Sequence, residues 1–189
     1  MAELETAVKA TIRKAFARTP YPGDGKLVVA RAGEDPECDQ IAESFRGKTW
    51  KDLPAGLIRS YADSLPLFTA EAFRYYLPAY MLASLGSDEE PASVREPVAG
   101  RAPDTAFDWN DVVHFVLFRL TLPESPEDCE YFLARARQFS AEERKAIAGY
   151  LKLIAEQQEV DWDGEEPRPD REEIAGAIRF WEAADLSSC

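Results

Sequence analysis

A single imidazole, His114, limits what this chain can do by nucleophilic catalysis. Serine and cysteine nucleophiles usually need a histidine base, so any triad here would have to run through it. His114 stands inside Val112-Val-His-Phe-Val116, where an imidazole is ordinarily a core residue with one satisfied hydrogen bond. Cys38, Cys129 and Cys189 include no close pair, and with one histidine they compose no zinc site by local spacing. An odd, scattered set argues against a disulfide framework and suits a reducing compartment. Asp161-Trp-Asp-Gly-Glu-Glu166 has the acid density of a calcium loop, but its glycine falls at the wrong position and the closing glutamate is out of place. Paired carboxylates serve glycosidases. With 35 acidic residues, however, such pairs arise everywhere and nothing selects one. The phosphate-cradling patterns GxGxxG and GxxxxGK[ST] are missing, as is the nucleophile elbow GxSxG. The expectation is no metal, no cofactor and no catalytic residue.

Binding chemistry is better represented. Two acidic segments each carry a tryptophan: Asp108-Trp-Asn-Asp111 and Asp161-Trp-Asp163 with the acids that follow. A tryptophan in a polar loop forgoes burial worth a few kcal/mol unless something covers it. It either folds back onto its own domain or anchors a partner whose approach the acids accelerate. Trp109, Asp111, Asp161, Trp162 and Asp163 are the binding candidates on that second reading. The net charge of −13 arises entirely after residue 80, where 24 acids face 11 bases; residues 1–80 carry 11 of each. Such a half repels polyphosphate and anionic lipid and attracts basic surfaces. The partner expected is therefore a protein with a basic surface, not nucleic acid and not a membrane. Solubility alone is the plainer account of the acidity.

The elements that must position these groups are mostly helical. Residues 3–17 open with apolar residues at three-to-four spacing, acids early and bases late, and Thr19-Pro-Tyr-Pro-Gly-Asp-Gly25 ends them. Lys26–Ala30 is the best strand candidate. Helices are expected over Pro36–Phe45 and after Pro54. The segment from Thr69 to Leu85 predicts another, apolar nearly all round, capped by Thr69, kinked at Pro78 and stopped at Gly86. Asp108–Leu120 has strand-like residues, but its length favours a buried helix. Ser125-Pro126, Ser140-Ala-Glu-Glu143 and Asp170-Arg-Glu-Glu173 are helix starts, the last two with capping-box spacing. These predict a mainly α, compact domain of roughly six to eight helices, with at most a minor strand or hairpin near residues 26–30. One acidic domain spanning 1–189 is expected, with a long loop at 86–108 and an acidic loop at 156–170. An acidic start without a basic-then-apolar plan, and no membrane-length apolar run, make cytoplasmic the default localisation.

Several segments are familiar in combination: Thr19-Pro-Tyr-Pro-Gly-Asp24, Phe45-Arg-Gly-Lys-Thr-Trp50, Thr69-Ala-Glu-Ala-Phe-Arg-Tyr-Tyr-Leu-Pro-Ala-Tyr80 and Phe139-Ser-Ala-Glu-Glu-Arg144. Together they resemble a family of uncharacterised bacterial proteins, a domain of unknown function. The likeness covers most of the chain and is strongest over residues 19–85. Such relatives are expected to carry proline where this chain has Ala70, and either residue begins a helix. The resemblance implies a bacterial cytoplasmic protein and brings no activity and no catalytic residues. Physically, Phe45–Trp50 is a helix end whose Arg46 and Lys48 complement the C-terminal dipole. Alternatively it is a binding surface together with Arg74, Tyr75 and Tyr21. The leading expectation is a non-enzymatic protein-interaction module, with an immunity protein that neutralises a basic toxin as its most concrete form. The alternative is an enzyme with a carboxylate or tyrosine site near the 69–85 helix.

Overall fold

Helix boundaries fall where capping chemistry puts them. The computed structural model describes residues 2–86, 109–157 and 169–183, and among these it is mostly helical, with no strand. The helices are α1 (Ala2–Ala15), α2 (Pro36–Phe45), α3 (Ala55–Ser60), α4 (Ala70–Ser84), α5 (Trp109–Leu120), α6 (Pro126–Ala136), α7 (Ala141–Gln157) and α8 (Arg171–Glu182), with three short 3₁₀ turns between α1 and α4. Asp35 caps α2 ahead of Pro36, and Ser125 caps α6 ahead of Pro126. The two capping boxes close as their spacing predicts. Ser140 N–H donates to Glu143 Oε2 at 2.7 Å and Glu143 N–H returns to Ser140 Oγ at 3.2 Å. Asp170 and Glu173 repeat the exchange.

The strand expected near residues 26–30 is reduced to one antiparallel bridge, Val28 against Phe68. Val29 N–H donates to Leu67 O at 2.9 Å and Thr69 N–H to Leu27 O at 3.1 Å, after which the chain turns into α4. A β-prone pentapeptide with one short partner gains a bridge, not a ladder. Residues 109–120 form a helix, so length prevails over their β-branched content. The expected loops at 86–108 and 156–170 lie almost wholly outside the described residues, which resume at 109 and 169.

The chain divides into two compact units. One comprises Met1–Arg18 with Leu117–Cys189, the other Thr19–Val116. In the first, α7 packs against both α1 and α8. Its core joins Ile12 and Phe16 to Phe139, Tyr150, Ile154 and Trp181. Trp181 meets Phe139 edge-on at 5.5 Å and donates its indole N–H to Leu120 O at 2.8 Å. In the second unit Phe45 is central, with ring centroids 5.7 Å from Tyr61, 5.1 Å from Phe68 and 5.0 Å from Tyr76, all edge-on. Helix α4 is buried on nearly every side, as its all-round apolar sequence predicts.

Cys38 is buried and free, whereas Cys129 is disulfide-bonded. The expectation that the cysteines form no disulfide framework is corrected at Cys129, since cysteine spacing in the sequence does not reveal such a bond. Among the described residues no helix is long and apolar enough to cross a membrane, and no group of three or more His, Cys, Asp and Glu side chains is arranged to hold a metal ion.

Candidate functional site

Helix α2 ends with Arg46 and then Gly47, which takes φ +66. A left-handed residue just past a helix C-terminus is where glycine is least strained. Its N–H points at two groups from the preceding turn, Tyr21 Oη at 2.9 Å and Asp24 Oδ1 at 3.1 Å. The Tyr21 hydroxyl in turn donates to Asp24 Oδ1. The turn thus supplies an acceptor pair, and the glycine supplies the backbone shape that reaches it.

Helix α4 closes the arrangement from the other side. The Tyr76 hydroxyl faces two carbonyl oxygens, Phe45 O at 3.0 Å and Lys48 O at 3.1 Å. Tyr75 lies edge-on to Tyr21 with ring centroids 5.3 Å apart. One turn further along, Tyr80 donates to Tyr61 O at 2.9 Å. Three of the four segments that carry the sequence resemblance, 19–24, 45–50 and 69–80, therefore meet at one place.

Burial and hydrogen bonding shift the titrating groups of this cluster in opposite directions. Burial raises the Tyr21 phenol above its ordinary value, and the hydrogen bond to Asp24 raises it further. Burial likewise lifts Tyr75 and lifts Tyr76 strongly. Asp24 moves the other way: its bond from Tyr21 lowers it most, with the Gly47 N–H and the Arg46 charge assisting. A general acid or base is tuned toward neutrality. Here the phenols are held protonated and the carboxylate ionised, each further from neutrality than when free in water.

Around the cluster the surface is charged. Arg46, Lys48, Lys51, Asp24 and Asp52 are exposed, and Lys51 Nζ lies 5.6 Å from the Trp50 ring centre. Of the binding candidates, Arg46 and Tyr75 belong to this place, one at its rim and one within it. Arg74 is half-buried beside Tyr75 on α4, and Asp111 is half-buried in the first turn of α5. Trp109 begins α5, but its side chain is not among the described ones, and Asp161, Trp162 and Asp163 lie outside the described residues. His114 is half-buried, with Phe115 edge-on at 5.6 Å.

Two features have no counterpart in the sequence reading. One is that Gly47 bonds Asp24, and Tyr76 bonds the Phe45 carbonyl, across 23 and 31 residues of chain. The other is a pair of buried arginines, Arg119 and Arg135. The one local signal for them is Tyr131 and Arg135 at four-residue spacing on α6, which sets a guanidinium over a ring.

No curated protein and no solved structure matches the chain. A family model does match, over residues 5–183, and it describes a family whose function is unknown. With nearly the whole length matched, both compact units fall within the shared region, and the chain belongs to that family of unknown function, DUF6714.

Proposed function

We propose that this chain is a non-enzymatic protein-interaction module of bacterial origin whose partner presents a basic surface. A toxin-neutralising immunity protein is its most concrete form. The observation that carries this reading is the state of the tyrosine cluster. Its hydroxyls donate to backbone carbonyls and to Asp24, and Asp24 is held ionised, so the cluster serves as a fastening and lacks a poised acid or base. That disfavours the enzyme alternative at the one place it was expected. The charge of −13, all of it from residues 81–189, supports attraction of a basic partner. Trp109, Asp111, Asp161, Trp162 and Asp163 are the proposed contact residues, with exposed Arg46 and half-buried Arg74 as a second surface over the buried Tyr75.

The test is capture of partners by the immobilised chain at low salt, identification, and reconstitution from purified components. A single basic protein that forms a stoichiometric complex, weakened by salt and by Trp109→Ala or Trp162→Ala, is the expected result. No such complex, or an acidic partner, sinks the reading. The cytoplasmic setting belongs to the same proposal, and the disulfide at Cys129 works against it, because such bonds persist in oxidising compartments. Thiol trapping in intact cells decides: alkylation at Cys129 supports the cytoplasm, and protection there overturns it.

A further inference from the structure

Single exposed apolar residues need no explanation, but neighbouring aromatic rings left in water do. Four large hydrophobic side chains are exposed among the described residues: Leu4, Val29, Phe118 and Tyr131. Leu4 lies in the first turn of α1 and Val29 next to the isolated bridge, each in a segment of its own. Phe118, 56% exposed, and Tyr131, 43% exposed, belong together. Both lie in the unit that contains Leu117–Cys189. The Arg119 guanidinium stands 4.9 Å from the Phe118 ring centre and is near enough to Tyr131 for the two to interact electrostatically.

Each ring also rests on a support. The Arg135 guanidinium stands 4.2 Å from the Tyr131 ring centre, and Arg135 itself is 5% exposed, so it is fixed within the unit. Arg119 is half-buried beneath Phe118. A cation against a ring face holds the ring in place, and a ring already held loses less freedom when a partner covers it. Exposed, immobilised aromatics are what the centre of a protein interface is made of.

The charge around the rings identifies the partner. Glu127, Asp128 and Glu130 precede Tyr131 on α6, with Glu124 just ahead of the Ser125 cap, and all four are exposed. Asp128 is also within electrostatic reach of Arg119, which places that acid beside the rings. The nearest exposed base along α6, Arg137, follows at its C-terminal end. An acidic rim repels polyphosphate and anionic lipid and attracts cations. We infer that Phe118 and Tyr131 form the centre of a docking surface for a basic protein segment with apolar side chains among its cations, and that Glu124, Glu127, Asp128 and Glu130 form its rim. The occupant is the basic partner proposed above, so the surface stands only if that reading does.

The probe is a peptide of alternating arginine and leucine, titrated into the full chain and followed by calorimetry and by amide resonances. An arginine–glycine peptide keeps its charge without its apolar groups, and a glutamate–leucine peptide reverses its charge. The arginine–leucine peptide should bind saturably, more tightly than either comparison peptide, and should shift the resonances of Phe118 and Tyr131. Phe118→Ala and Tyr131→Ala should each weaken it about tenfold, and Asp128→Asn about threefold. Glu172→Gln, which removes an exposed acid from the first turn of α8, should leave it unchanged. Binding of the basic peptide that ignores both ring variants, or that shifts other residues instead, overturns this surface and leaves the basic-partner reading standing. Equal binding of the arginine–glycine peptide overturns the part assigned to the rings. Preference for the glutamate–leucine peptide, or no binding of either basic peptide, overturns the surface and counts against a basic partner as well.

Discussion

The two units bury polar side chains among aromatic rings in opposite ways. In the Thr19–Val116 unit the buried groups are phenols, and their hydroxyls reach backbone: Tyr76 to Phe45 and Lys48 carbonyls, Tyr80 to the Tyr61 carbonyl. In the other unit they include guanidiniums laid over Phe118 and Tyr131, and the Nε of Arg119 reaches nothing. The first pattern is what stability alone selects, because a satisfied buried hydroxyl fixes a turn at little cost. The second leaves the Nε of Arg119 buried and unsatisfied, which is unfavourable for stability.

The sharpest way to break the comparison is to attack the ring cluster itself. Phe45→Ala removes the ring that touches Tyr61, Phe68 and Tyr76, and should cost about 3–5 kcal/mol in urea unfolding monitored by circular dichroism. Tyr76→Phe keeps the ring and deletes only the hydroxyl. Leaving two carbonyls without their donor should cost roughly 1–3 kcal/mol.

Arg119→Met is the counterpart in the other unit, and its sign is opposite. Replacing a half-buried cation that has an orphaned donor by an apolar chain should raise stability by about 1 kcal/mol. If Arg119→Met and Tyr76→Phe both destabilise by similar amounts, the distinction between the units collapses. Gly47→Ala should cost about 1–2 kcal/mol, from backbone strain alone, since open space surrounds the position where its Cβ would stand.

The smallest effect is one of pH. Asp24 is held below its ordinary value, so it contributes stability above the unfolded carboxylate pKa of about 3.9. That contribution disappears as pH falls through the lower folded value. Asp24→Asn should therefore flatten the acid limb of the stability profile below about pH 4 and leave its neutral portion parallel to that of the parent.

Much of the frame was legible because it rests on local chemistry. Ser140 with Glu143, Asp170 with Glu173, Asp35 before Pro36 and Gly86 after α4 each mark a helix end within a few residues of themselves. Lys26–Ala30, expected to give at most a minor strand, makes a single bridge, because β-propensity reports a preference for a partner and not whether a partner arrives. The arginine pair was illegible for a related reason. Arg119 ends an apolar helix and looks like a favourable charge on the C-terminal dipole, and only packing shows that its Nε is out of reach of water. The resemblance marked residues 19–24, 45–50 and 69–80 without indicating that they touch. The Trp109 and Trp162 segments, on which the partner expectation rests, gain nothing from the fold, since neither side chain is among the described ones.

Thr69 has a consequence for how the chain folds. Its hydroxyl accepts from Ala72 N–H at 3.1 Å, capping α4, and donates to Lys26 O at 2.6 Å, a residue 43 positions earlier. The cap of the most buried helix is therefore complete only after a long loop has closed. Loop closure precedes its reward, which slows the search and makes it more cooperative. Folding of the Thr19–Val116 unit should be gated at residues 26–28, so that Thr69→Val slows refolding more than it speeds unfolding, as a double-jump stopped-flow measurement would resolve.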